Sequence, residues 1–150
     1  MDLEITIRQP SSDEEYQRML DLRWRVLRKP WNQLKGSEID DKENESNAFI
    51  ALIGNKIIGT ARLHKNSLEE GQIRYIAIKE DFRRKGVGKK LMKHVEKFAK
   101  NQGLNRIILN ARKTAKSFFD ELNYDIVEEG PTLFDEIEHF VMQKKLNLKI

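Results

Sequence analysis

Ile73-Arg-Tyr-Ile-Ala-Ile78-Lys-Glu-Asp-Phe-Arg83-Arg-Lys-Gly86-Val-Gly88-Lys-Lys-Leu91 reads as strand, glycine loop, amphipathic helix. Apolar residues alternate through Ile78, the period of a strand. From Val87, the apolar positions Leu91, Met92, Val95, Phe98 and Ala99 recur at helical spacing. A helix start carries unpaired amides and a positive partial charge. Glycines there let a phosphate approach the backbone closely. Residues 79–90 hold six basic and two acidic side chains, net +4, which equals the formal excess of the chain. The basicity is therefore focused on one loop, as suits a compact phosphorylated ligand. A solvated basic helix face with an ordinary turn is the plainer reading. The strand–loop–helix context argues against it.

Outward from this segment, the order reads β-α-loop-β-β-β-α-β-α-β-β. Leu3, Ile5 and Ile7 alternate as a strand, and Pro10-Ser11-Ser12 ends it. Ser12-x-x-Glu15 is a capping box for a helix running to about Arg28, where Lys29-Pro30 disfavours continuation. Residues 31–47 read as a long polar loop. Residues 48–53 and 56–64 form a hairpin about Gly54-Asn55. Residues 72–78 are a strand, and Gly103 closes the helix after the glycine loop. Residues 106–110 are a strand, 114–122 a helix, and 124–127 and 139–146 the last strands, joined through Gly130-Pro131. This is a mixed α/β (α+β) layer architecture. Trp24, Phe49, Phe98, Phe140, Met19, Met92 and Met142 are assigned to core packing.

The chain has 150 residues, the size of one domain, so residues 1–150 are read as a single unit. Charged residues are 35% and apolar residues 39%, but the apolar ones sit in blocks, which argues against disorder. The longest unbroken apolar run, residues 48–53, is too short to span a membrane. Met1-Asp2-Leu3-Glu4 lacks the pattern of a signal peptide. These features predict a soluble cytoplasmic protein. The absence of cysteine removes disulfides, thiolate zinc sites and cysteine nucleophiles. With three histidines, no metal site is predicted.

The glycine loop matches neither the P-loop, since Lys89-Lys90 follow Gly88, nor G-x-G-x-x-G, since Leu91 stands at the third glycine. What remains is R-x-x-G-x-G over Arg83 to Gly88. This resembles motif A, [QR]-x-x-G-x-[GA], of the GNAT N-acetyltransferase superfamily. Asn110-Ala-Arg-Lys-Thr-Ala115-x-x-Phe118-Phe119-x-x-Leu122-Asn123-Tyr124 is similar to that superfamily's later segment N-x-x-x-x-A-x-x-F-Y-x-x-L-G-F. Phe134-x-Glu136-x-x-His139-x-x-Met142 resembles the F-x-E-x-x-x-H-x-x-M tail of a small bacterial branch.

The resemblance implies a central, mostly antiparallel sheet flanked by helices, with a splayed strand pair that binds acetyl-CoA. It implies that Arg83, Arg84, Lys85, Gly86, Val87, Gly88 and Lys89 hold the pyrophosphate. Ile76, Ala77 and Ile78 then offer backbone groups to the pantetheine arm, and an amide near Ile78 polarises the thioester carbonyl. Asn110 matches a pantetheine-bonding position, and Ser117 and Phe118 fall near the cofactor's end. Arg25, Arg28 and Trp31 lie where the family lines its acceptor pocket. Glu136 and His139 are candidate bases. Glu136 reads equally as a substrate anchor or surface carboxylate, and His139 as a strand histidine bonding a neighbour. His64 and His94 read as exposed.

Two departures stand out. Phe119 replaces the usual tyrosine acid, and Asn123 replaces a glycine. Asn tolerates positive φ, so the turn survives.

The reading is an N-acetyltransferase moving acetyl from acetyl-CoA to a primary amine. Phe119 suggests a second reading, a CoA-binding regulator with little turnover. The pI of about 9.2 suggests a third, a nucleic-acid-binding module. That third reading lacks a helix-turn-helix signal and aromatic RNA-binding motifs. Basic Arg23, Arg25 and Arg28 suggest an anionic acceptor. Five acids against one base over residues 38–45 suggest a cationic one. Leu146, Leu148 and Ile150 suit either a homodimer or the edge of the monomer's own sheet.

Overall fold

Helix and strand boundaries follow from local chemistry at most ends. The computed structural model describes residues 4–146. Strand β1 is Thr6–Arg8, helix α1 Asp13–Leu27, β2 Asn47–Ile53, β3 Lys56–Lys65 and β4 Glu70–Ile78. Helix α2 is Val87–Asn101, β5 Arg106–Arg112, α3 Lys116–Glu121, β6 Asp125–Leu133 and β7 Ile137–Lys145. The strand order is β1-β2-β3-β4-β5-β7-β6. Of the described pairings, β1–β2, β2–β3, β5–β7 and β6–β7 are antiparallel and β4–β5 is parallel. The mixed, mostly antiparallel sheet is as anticipated.

The chain divides into two compact units. The first takes residues 4–64 with Tyr75–Val95, the second Lys65–Arg74 with residues 96–146. In the first, the Ser12 hydroxyl accepts from the Glu15 amide at 3.1 Å and starts α1. Glu15 does not close the predicted capping box. Its carboxylate takes the Ser11 amide at 2.8 Å and the Arg8 guanidinium at 2.7 Å, because the cation is the stronger donor. Met19, Leu20 and Leu22 of α1 bury against Ala48, Ile50, Leu52 and Ile57. Methionines 19, 92 and 142 are fully buried, and Phe49 is nearly so. Trp24, Phe98 and Phe140 are half-buried. The hairpin turns at Gly54, φ +58.

In the second unit, β4 pairs with β5 through Glu70↔Arg106, Gly71↔Ile107 and Gln72↔Ile108, where that register stops. Gly103, φ +84, ends α2, and the Leu104 amide reaches back to the Ala99 carbonyl at 3.1 Å.

Three further expectations are corrected. The last two strands meet at residues 134–136, not at Gly130-Pro131, and both are longer than expected. Pro131 fits inside β6 because β6 is an edge strand and the register shifts between Glu129 and Thr132. Part of the predicted 114–122 helix is the 3-10 turn Lys113–Ala115. His64 is buried, with its Nδ1 3.3 Å from Arg62. His94 is exposed and meets the Phe49 ring edge-on at 5.5 Å. Leu3, Leu148 and Ile150 lie outside the described residues.

Candidate active site

In the first unit, β4 delivers the chain to the glycine loop. The Lys79 amide donates to the Ile58 carbonyl at 2.8 Å, which fixes the strand's exit. A 3-10 turn, Glu80–Phe82, follows. The chain then enters left-handed backbone at Arg84, φ +61, and again at Gly86, φ +81. Left-handed backbone is costly for arginine and easy for glycine. Alternation of this kind turns successive amides toward a common side, a geometry suited to anions. A Cβ on Gly86 meets no heavy atom within 4 Å, so the loop's outer face is open. Residues 83–86 and Lys89 are exposed. Arg83 Nε approaches the Ile78 carbonyl at 3.4 Å, joining the strand end to the loop.

The helix start is anchored from below. Val87 is buried with Ala51 and Ile58, and Ile78 and Phe82 pack on them. A Cβ on Gly59 falls 3.0 Å from Ile78 Cδ1 and 3.4 Å from Val87 Cγ1. Gly59 therefore admits both side chains behind the loop. A glycine inside a strand pattern was the available sign of such close approach.

Lys56 and Lys85 lie 5.3 and 5.9 Å from the Phe82 ring centre. Hydrogen bonding with Lys56, together with burial and its charge, lowers the pKa of Lys79.

The acceptor-side residues divide. Arg25 is exposed and bonds Asp21 at 2.7 Å. Trp31 is half-buried. Arg28 is buried, and its Nε donates to the Ser37 carbonyl at 3.0 Å. Arg23 is fully buried and donates to Glu43 at 2.8 Å and to the Glu38 carbonyl at 3.1 Å. Arg62, also fully buried, bonds Asp40 and reaches Glu43 at 3.1 Å. Of the basic patch and the acidic run that suggested opposite acceptors, Arg23 and Glu43 pair with each other, while Asp40 pairs with Arg62. Burial pushes the Glu43 carboxyl up, but bonds from Arg23 and Tyr16 and the Arg23 charge hold it below its ordinary value. Burial first, then the bond to Glu43, pushes the Tyr16 phenol up to about 12. This cluster was not legible, because Arg23, the 40–43 segment and Arg62 are separated in sequence and the first two read instead as patches for opposite acceptors.

In the second unit, Asn110 is exposed on β5 opposite Val141, and His139 faces Arg112 across the ladder. His139 is buried and its Nδ1 lies 2.9 Å from the Pro131 carbonyl. A carbonyl only accepts, so Nδ1 carries the hydrogen. Glu136 is exposed in the 134–136 turn, and Ser117 is exposed and Phe118 half-buried on α3. Phe119 is buried, with Phe118 and Tyr124 edge-on at 5.0 and 5.9 Å. The Tyr124 phenol donates to Glu96 at 2.7 Å, and burial followed by the Glu96 charge raises its pKa far above the ordinary value. Asn123 holds φ +70, as its turn requires.

Residues 16–124 match the family described as the GNAT acetyltransferase family. The chain belongs to the GNAT family. It is therefore an acyltransferase by family. The Bacillus subtilis (strain 168) protein named uncharacterized N-acetyltransferase YjcF is 31% identical over 133 residues, covering 89% of this chain and 94% of the relative. A GNAT acetyltransferase from Elizabethkingia anophelis, solved with acetyl-CoA bound, shares the fold at TM-score 0.76 and 21% identity. That match covers 95% of this chain and 98% of its own. An aminoglycoside 6'-N-acetyltransferase solved with coenzyme A aligns at TM-score 0.81 and 14% identity, covering 97% and 99%. Among the described residues, no helix of this GNAT chain is long and apolar enough to cross a membrane.

Proposed function

We propose that the protein is an acetyl-CoA-dependent N-acetyltransferase acting on a primary amine by direct attack in a ternary complex. The observation that carries this is the loop at residues 83–86: left-handed at Arg84 and Gly86, exposed, cationic and opening onto α2. Its amides and the Arg83, Arg84, Lys85 and Lys89 side chains hold the pyrophosphate, with Gly88 and the anchored Val87 setting the helix start. The backbone of residues 76–78 pairs with the pantetheine arm, and an amide near Ile78 polarises the carbonyl. Asn110 is assigned to bonding the pantetheine, and Ser117 and Phe118 to the cofactor's end. The acetyl-bearing neighbour supports this assignment through its fold alone.

Bound acetyl-CoA supplies a thioester whose C–S bond breaks as the amine nitrogen forms the C–N bond. The chain's part is to orient the partners and take a proton from the amine. His139 suits that task, because its Nδ1–H donation leaves Nε2 as the basic nitrogen of the neutral ring. Glu136 is the alternative base or an anchor for the acceptor. Arg25 and Trp31 are assigned to acceptor contact, and Arg28 to holding the loop through Ser37. Water protonates the thiolate, since Phe119 offers no hydroxyl.

Phe119 and the engaged Tyr124 phenol also favour a second reading, a CoA-binding regulator with little turnover. Thiol release from acetyl-CoA separates the two when measured with a polyamine, an aminoglycoside and a lysine peptide. The transferase reading predicts that at least one amine raises release above hydrolysis. Binding without any amine-dependent release establishes the regulator instead.

A further inference from the structure

Tyr75 is buried in the middle of β4 with φ +57. For an aromatic L-residue this backbone is a genuine outlier, and it persists only where surroundings over-determine it. The surroundings include three arginines. The guanidinium carbons of Arg23, Arg62 and Arg28 lie 4.6, 4.9 and 5.5 Å from the Tyr75 ring centre. A guanidinium on a ring face within about 6 Å is attracted by the ring quadrupole, more strongly when desolvated. Arg23 Nε and Nη2 and Arg62 Nε are buried without a hydrogen-bond partner among the described residues. The π face is thus a principal partner for these groups. Asp40 and Glu43 hold the same guanidiniums, with Arg62 gripping Asp40 through both terminal nitrogens. The residue after Tyr75 begins the 76–78 stretch.

We propose that Arg23 and Arg62 are positioning residues for acetyl transfer, clamping the Tyr75 ring so that its left-handed backbone aims the amides of residues 76–78 at the thioester carbonyl. This rests on the acetyl-CoA reading above. The arginines touch neither acceptor nor cofactor; they act through Tyr75. Turning one residue out of the extended region redirects every peptide plane that follows it, so the clamp sets where those amides point. The pyrophosphate loop lies beyond this stretch and is anchored separately by Val87, Ile58 and Gly59. Carbonyl polarisation and CoA affinity are therefore separable.

The test uses acetyl-CoA labelled with carbon-13 at the acetyl carbonyl, bound to the full chain, together with calorimetry on desulfo-CoA. The labelled carbonyl reports polarisation without any acceptor. Wild type and Tyr75→Phe, which keeps the ring, show the same displaced carbonyl resonance. Tyr75→Leu and Arg62→Met keep less than half of that displacement while binding desulfo-CoA within about threefold of wild type. Tyr75→Leu preserves both ion pairs and decides the matter alone if Arg62→Met fails to fold. An unchanged displacement in Tyr75→Leu overturns the proposal. So does its loss in Tyr75→Phe, or a parallel loss of displacement and affinity, which marks a merely structural role. A wild type that binds without displacement overturns the proposal but not the CoA reading. A wild type that binds neither ligand overturns that reading itself.

Discussion

At the scale of single residues, charge and conformation do separate jobs. Gly86 supplies a conformation: φ +81 with open space where a side chain would project. Glu43 supplies a charge that ties Arg23, Arg62 and Tyr16 together. Its carboxyl titrates lower in the folded chain than in the unfolded one. Its stabilising contribution is therefore complete above the unfolded value of about 4.3 and is lost as pH falls through the lowered folded value. Glu43→Gln should cost about 3 kcal/mol at neutral pH, because Arg23 stays buried with a weaker partner. It should also flatten the fall in stability on acidification, as read by urea midpoints at several pH values. An unaltered acid profile would remove Glu43 from that role.

Elements carry the next set of consequences. Helix α1 is started by one hydroxyl, so Ser12→Ala should lower stability by about 1 kcal/mol. Chemical denaturation measures this directly. A Cβ at Gly130 in β6 would lie 3.1 Å from both Cβ and the carbonyl oxygen of His139. One of those contacts is backbone and yields little. Gly130→Ala should therefore displace the His139 ring from the Pro131 carbonyl, read as a changed histidine titration by NMR, with destabilisation of about 1–3 kcal/mol. An unperturbed titration would show that β6 absorbs the methyl elsewhere.

Elements were also where sequence reading worked best and where it failed instructively. The hairpin about Gly54 and the helix from Val87 were legible because period and turn residues are local signals. The β6–β7 connection was not: a proline and glycine usually mark a turn, but here they sit in an irregular edge strand. The capping box was half legible, since Ser12 caps as read while Glu15 is claimed by Arg8 from outside the motif. The strand, glycine loop and helix start around residues 83–89 were legible because their residues are contiguous. The arginine clamp on Tyr75 was invisible, since its members come from one helix, one loop and two strands. Nothing in a tyrosine's identity announces a positive φ.

At the scale of the whole molecule, the proposed function requires the protein to bind acetyl-CoA before it does anything else. A ligand that binds the folded chain alone stabilises it by RT ln(1 + [L]/Kd), about 2.7 kcal/mol at a hundredfold excess over Kd. The melting temperature should accordingly climb with acetyl-CoA concentration. Adenosine alone, lacking the pyrophosphate, should shift it far less. The most direct measurement is isothermal titration calorimetry of acetyl-CoA against wild type and Gly86→Asp near physiological salt. The account predicts saturable one-to-one binding to wild type and affinity weakened at least about a hundredfold in the variant, roughly 2.7 kcal/mol, with the variant still folded. Undiminished binding by folded Gly86→Asp, or no binding by wild type at high concentration, would contradict it.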